Sequence, residues 1–451
     1  MGNPTRKALV IGLDGVPYTL IEAYMERGEL PNLKNILSRG HALSQMDASI
    51  PDVSSTSWTS FFTGVNPGEH GIYGFMELNP GTYTLRFPNY GDVAAPPLWD
   101  ILGGGLRGKS STLSERFAGK IRTPLRSVVL NIPQTYPALP LNGVLTSGFV
   151  CPDLKRGTYP VEAYDYLASI GYITDVDASK AVADPDAFFT EVFKALEKRL
   201  IAYEHFLANE EWGLFIAVIT ETDRLHHFFF DAAFDAGHKY HQSFIKVYRT
   251  MDEMIGALYS RFMDMTGGEG FFATMSDHGF TEIKKEVYVN SWLRQEGFLN
   301  VDREREYFEQ IGSGTVGFAM DPGRIYVNLA GSYPLGSVDA SERKERAREL
   351  KASLSSITHE GSPVVKAVFE RDELYSGRAL GRAPDLVCLA EDGFDLKGSL
   401  KQDELFGRSR FTGMHTRHDA HCVLPEGALS SGARPHIEAL AGIVLENILG
   451  I

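Results

Sequence analysis

The chain has 451 residues, 43% of them hydrophobic, enough for one large core and a smaller lobe. A formal charge of −14 with no offsetting basic run excludes a nucleic-acid polymer as substrate. Three cysteines without metal-ligand spacing (Cys151, Cys388 and Cys422) exclude a disulfide framework. The chain enters its first strand within a few residues, so neither a signal peptide nor a membrane-spanning run of about twenty apolar residues is expected. A soluble, cytoplasmic protein without an integral membrane segment is therefore expected, and nothing in the sequence points to an oligomeric state.

Residues 7–13 form an almost uninterrupted apolar run, the pattern of a central strand covered on both faces, and they deliver Asp14 and Gly15 into a loop. After Pro51 the pattern predicts a helix over 54–63 ended by Gly64, with Ser54 at its N-terminus, where backbone N–H groups favour an anion. Serine is also a common helix cap, so Ser54 alone is ambiguous. Gly103, Gly104, Gly105 and the basic stretch to 126 read as an exposed insertion and not as a phosphate cradle. Helical periodicity over 187–207 and 238–262 brackets an apolar strand that passes into Asp223 and His227, spaced to share a helix face. His238 and His241 read as surface residues. The run 270–275 predicts a buried strand with Asp277 and His278 at its end, followed by Gly279 for a sharp turn. Residues 282–380 change character and suggest an inserted α+β lobe, after which the strand-like 383–390 leads back to a core formed by 1–281 and 381–451. A histidine-rich turn, with His415, His418 and His421, comes last.

A carboxylate and an imidazole at a strand end suit zinc or a similar divalent ion, because ligands of open α/β sheets gather at the carboxyl ends of the strands. Each cluster has a plainer reading: Asp14 as a cap, Asp223 as a salt-bridge partner, the late histidines as loop residues. Their coincidence at four places favours a metal site.

These residues lie in stretches that resemble the alkaline phosphatase superfamily, specifically its type I phosphodiesterase/nucleotide pyrophosphatase branch. The resemblance is carried by V-I-G-L-D-G, the stretch from Ser54 through Ile72, N-I-P-Q-T-Y-P, T-D-R-L-H-H, S-D-H-G-F, V-N-S-W-L-R-Q-E-G-F-L and G-R-I-Y-V-N-L, spread from about residue 7 to 424. It implies a mostly parallel central sheet flanked by helices, plus the inserted lobe. It also implies that Ser54 is the nucleophile and the reacting ligand of one metal held by Asp14, Asp277 and His278. Asp223, His227 and His415 would hold a second, with His418 and His421 as fallback ligands and His226 as a residue that packs beside the ligands or supports one of them. Relatives often carry threonine where Ser54 stands, whereas serine is common among monoesterases.

The implied activity is metal-dependent hydrolysis of a small phosphate ester, such as a nucleotide, through a covalent phospho-Ser54. Zinc is the expected ion, with manganese or iron as alternatives. A phosphodiesterase or nucleotide pyrophosphatase is preferred, because no cation lies between Asp52 and Gly68 to meet a dianionic phosphoryl group. Lys284 or Arg324 of the lobe are the candidates to reverse that preference. The alternatives are a phosphomonoesterase or phosphotransferase on the same fold, or a non-catalytic metal-binding member. A sulfatase is disfavoured because Ser54 to Trp58 lacks the proline and arginine of a formylglycine motif.

Overall fold

The computed structural model describes residues 6–430, 432 and 434–451. Among them, eight strands form one large sheet: β1 (Ala8–Leu13), β2 (His41–Met46), β3 (Ser127–Ile132), β4 (Gly143–Ser147), β5 (Thr158–Tyr159), β6 (Leu214–Ile219), β7 (Phe271–Met275) and β8 (Ala420–Pro425). Their spatial order is β2-β8-β7-β1-β6-β3-β4-β5. The five from β7 to β4 run parallel; β8 and β5 run against them, and the edge strand β2 pairs antiparallel with β8. This is the mixed α/β architecture with a mostly parallel central sheet that the resemblance implies.

Central β1 and β6 are buried along their whole length, so their side chains alternate between two cores. Leu9, Ile11 and Leu13 pack under the long helices α2 (Pro185–Asn209) and α4 (His241–Thr266), numbered here after α1 (Ser54–Thr63). Ala8 and Val10 face Trp58, Phe61 and Phe62 of α1. Each such Leu, Ile or Phe contributes roughly 1.5–3 kcal/mol by leaving water. Gly12 is required by proximity: a Cβ there would collide with the indole of Trp58.

A third apolar cluster lies apart from both, drawn from Tyr83 and from residues between Val287 and Leu400. It covers a four-stranded sheet that includes Arg324–Val327 and Val365–Glu370. The strand Leu386–Ala390, expected to lead back to the core, pairs instead with these two. Its continuous apolar run suits either sheet, and the partner is fixed by tertiary packing, with Leu386 and Cys388 in the third cluster. The chain rejoins the large sheet only at β8, after the strand Gly413–Thr416.

Three smaller expectations also change. Gly279 makes no left-handed turn; it starts the strand Gly279–Glu282, and a Cβ there would lie 2.6 Å from the carbonyl carbon of Asp419. His241 is buried, with Nδ1 2.7 Å from the carbonyl oxygen of Ala232. The stretch 103–126 contains the helix Thr112–Phe117, which buries Leu113 and Phe117. The three cysteines are free. No helix among the described residues is long and apolar enough to cross a membrane.

Candidate metal centre

The site forms where β1, β6 and β7 end. Asp14 directly follows β1; its backbone oxygen accepts from Thr222 Oγ1 at 2.6 Å and its Oδ2 from Trp58 Nε1 at 3.1 Å. Gly15, at φ +68°, turns the chain so that its N–H donates to Asp277 Oδ1 at 2.9 Å. Strand β6 leads into α3 (Glu221–Phe229), whose first turn carries Asp223. The i, i+4 spacing brings His227 Nε2 to 3.4 Å from Asp223 Oδ1. His415 comes from Gly413–Thr416, which is held beside Gly279–Glu282 as an antiparallel pair, and its Nε2 lies 3.3 Å from the same Asp223 oxygen and 3.1 Å from His227 Nε2.

Ser54 is the first helical residue of α1, and Val53 occupies the cap position. The cap reading of Ser54 therefore fails, and its hydroxyl is free to turn inward. Oγ lies 3.1 Å from His278 Nε2 and 3.3 Å from Asp14 Oδ1, at the positive end of the helix. His278 Nε2 is also 3.2 Å from Asp277 Oδ2. All seven residues singled out from the sequence thus converge. Among the described residues, two triads have donor atoms mutually within 4.8 Å: Asp223, His227 and His415, and Asp14, Asp223 and His278. Asp223 belongs to both, so the two groups share a carboxylate.

The electrostatics fit a resident cation. Burial raises Asp277 to about 7, and burial together with the charges of Asp277 and Asp223 raises Asp14. Burial would also raise Asp223, but His227 and His415, when protonated, outweigh it and hold it well below the usual carboxylate range. Burial pushes His278 down. Asp223 Oδ1 and Asp277 Oδ2 are buried without a hydrogen-bond partner, a costly state for carboxylate oxygens that a divalent ion relieves. Carbonyl oxygens hold the outer nitrogens of two rings, His415 Nδ1 at 2.9 Å from Asp52 O and His278 Nδ1 at 3.2 Å from Gly279 O. A carbonyl only accepts, so these contacts put the proton on Nδ1 and leave Nε2 as a lone pair facing inward.

The other histidines weighed for the site, His226, His418 and His421, are engaged elsewhere. His226 uses both nitrogens, on Gly15 O and Tyr248 Oη. His418 pairs with Asp47, and His421 Nδ1 meets Val16 O. Arg324 is buried on the carbonyls of Asp321 and Met76, and Lys284 bonds Asp392 O, so neither lobe cation enters the centre. The nearby cation that sequence reasoning overlooked is Arg224, with Nη1 3.6 Å from Asp223 Oδ2. It adjoins a singled-out aspartate in T-D-R-L-H-H, and that adjacency was the available signal. The centre lies between a cavity of 240 Å³ lined by Ser54 and Arg224 and a cleft of 750 Å³ that runs toward the third apolar cluster, with His227 and His415 facing both.

No curated protein matches the chain. Among solved structures the fold is similar to phosphonoacetate hydrolase from Sinorhizobium meliloti 1021 in complex with phosphonoacetate, at a TM-score of 0.63 and 18% identity over 98% of this chain and 96% of that one. It is also similar to murine ectonucleotide pyrophosphatase / phosphodiesterase 5, at a TM-score of 0.54 and 13% identity over 99% of this chain and 95% of that one. These likenesses establish an alkaline phosphatase-like fold. The sequence itself matches the description type I phosphodiesterase / nucleotide pyrophosphatase over residues 8–418, and the chain belongs to this family of phosphoester hydrolases.

Proposed function

We propose that the protein hydrolyses a small phosphate ester through a phosphoryl-Ser54 intermediate at a centre for two divalent metal ions. Asp14, Asp277, His278 and Ser54 would hold one ion and Asp223, His227 and His415 the other, with zinc expected from the nitrogen and oxygen donor set. Bound there, such ions supply Lewis-acid stabilisation of phosphoryl oxygens and of an alkoxide. The observation that carries this reading is the position of Ser54 Oγ, 3.1 Å from His278 Nε2 and 3.3 Å from Asp14 Oδ1 at the N-terminus of α1. Asp14 orients the hydroxyl and accepts its hydrogen bond, and the helix end favours both the serine alkoxide and the phosphoryl group it acquires. Trp58 and Gly15 fix Asp14 and Asp277, so the carboxylates do not reorganise as charge develops.

Family membership supports a phosphoester bond as the target, and the organic group of the substrate would lie in the 750 Å³ cleft. The test is acid quenching of zinc-loaded protein during turnover of para-nitrophenyl esters, followed by peptide mass analysis. A phosphate adduct on the peptide that contains Ser54, absent from Ser54→Ala, is the expected result. Full turnover with no adduct and with an intact Ser54→Ala rate would exclude the covalent route.

A further inference from the structure

Arg224 is the one Lys or Arg among the described residues lining the 240 Å³ cavity beside Ser54. Its guanidinium is gripped on one edge, where Nε donates to Asp175 Oδ1 at 3.2 Å and Nη2 to Asp175 Oδ2 at 2.9 Å. Its carbon lies 3.9 Å from the ring centroid of Phe149, which itself stacks on Phe75 with centroids 5.3 Å apart and an interplanar angle of 5°. The other edge is open. Nη1 has no hydrogen-bond partner among the described residues, and its ion-pair neighbour Asp223 Oδ2 stands 3.6 Å away. A guanidinium clamped at two donors and braced on a ring has lost most of its rotamer freedom, and it presents N–H groups in a fixed fork. Such a fork matches two oxygens of a tetrahedral anion better than an ammonium does.

The family expectation of a diester was supported by the lack of a cation on α1, and the cation is instead on α3. A monoester brings a phosphoryl group with two negative charges, and a diester brings one. A diester must also place its second organic group beside the phosphorus, in a cavity that Arg224, Phe149 and Phe75 already narrow.

We propose, resting on the phosphoester-hydrolase reading above, that Arg224, positioned by Asp175 and Phe149, binds a non-bridging oxygen of a terminal, dianionic phosphoryl group. The substrate class is thereby a phosphomonoester whose organic leaving group lies toward the larger cleft.

The test uses the zinc-loaded full chain and compares kcat/KM for para-nitrophenyl phosphate and bis-para-nitrophenyl phosphate. Wild type favours the monoester. Arg224→Ala lowers the monoester-to-diester ratio by about 10- to 100-fold, the loss of a hydrogen bond to a charged group. Inhibition by inorganic phosphate weakens in step, and metal content is unchanged. Arg224→Lys restores part of the ratio, because it returns the charge without the fork, and it serves also where the alanine variant folds poorly. An equal loss on both esters, with phosphate inhibition unchanged, makes Arg224 structural and overturns the proposal, as does a wild-type preference for the diester. Metal-loaded wild type that turns over neither ester overturns the hydrolase reading instead. Calorimetric binding of inorganic phosphate then judges Arg224 alone: about tenfold weaker binding to Arg224→Ala supports it, and equal binding rejects it.

Discussion

Asp14, Asp277 and His278 have side chains that are 4%, 0% and 0% exposed, whereas Asp223, His227 and His415 stand at 11%, 25% and 19%. The first group grows from the ends of two adjacent parallel strands and is backed by Gly15 and Trp58. The second is assembled from a helix and from a strand that arrives 188 residues later, meeting at the two His Nε2 atoms. Similar donor chemistry is thus built with different rigidity. The closed group holds its ligand atoms through the sheet itself, and the open group does so through side chains that solvent reaches. In the proposed two-metal centre the open half exchanges its ion faster and faces the incoming substrate.

The largest expected effect separates the nucleophile from both halves. Ser54→Ala lowers kcat by at least about 10³-fold with both metal equivalents retained, since protein ligands remain in each group. Single-turnover kinetics beside elemental analysis measures this. Near-normal activity there, with Ser55→Ala or Thr56→Ala inactive, moves the role to another hydroxyl.

Next comes the closed half. Asp277→Asn exchanges a buried carboxylate oxygen for an amide, and it lowers affinity for one equivalent of metal by more than about 100-fold, together with the rate. Retention of two tightly held equivalents at normal turnover would remove Asp277 from the ligand set.

A smaller effect distinguishes the halves directly. Removal of zinc by a chelator is biphasic, and His415→Ala abolishes the faster phase while leaving the slower one in place. A single phase in the wild type, or loss of the slow phase in the variant, erases the distinction drawn from exposure.

The smallest effect concerns His70, whose Nδ1 accepts from Ile72 N–H at 3.1 Å, so that Nε2 carries the proton 2.9 Å from Ser60 Oγ. Burial holds its pKa at about 3 against an ordinary value of 6.5. Between those values the unfolded chain binds a proton that the folded one refuses. Stability from the neutral ring is therefore complete above pH 6.5 and lost as pH falls, by up to about 1.4 kcal/mol per pH unit. His226 and His421 act in the same direction, so the measurement is a difference: urea unfolding of wild type and His70→Asn at pH 7.5 and 5.5. Equal losses in the two proteins would show that His70 is not the group responsible.

The strand ends were legible because each ligand terminates an apolar run whose buried character is local, as with Asp14 after β1 and Asp277 after β7. Helix α1 was legible from its local bounds, the loop after Pro51 and the stop at Gly64, which is left-handed at φ +62°. What escaped depends on distant approach. Arg224 becomes a cavity cation only because Asp175 and Phe149 converge on it from other segments. Asp52 matters through a carbonyl that meets His415, which no side-chain pattern announces. Leu386–Ala390 is a short apolar run that could serve in either sheet, and its partners are chosen by tertiary packing.

Trp58 lies against Gly12 on one side and donates its indole N–H to Asp14 on the other. The helix that carries Ser54 and the strand that carries Asp14 are thereby registered by a single ring resting on a bare backbone. The clearance is less than one methyl group, so any enlargement at position 12 displaces the ring before it reaches the centre, and the displaced ring takes its hydrogen bond with it. The alignment of hydroxyl and carboxylate is for that reason set by a packing tolerance two residues upstream of Asp14, and sizes at positions 12 and 58 can drift only as a matched pair.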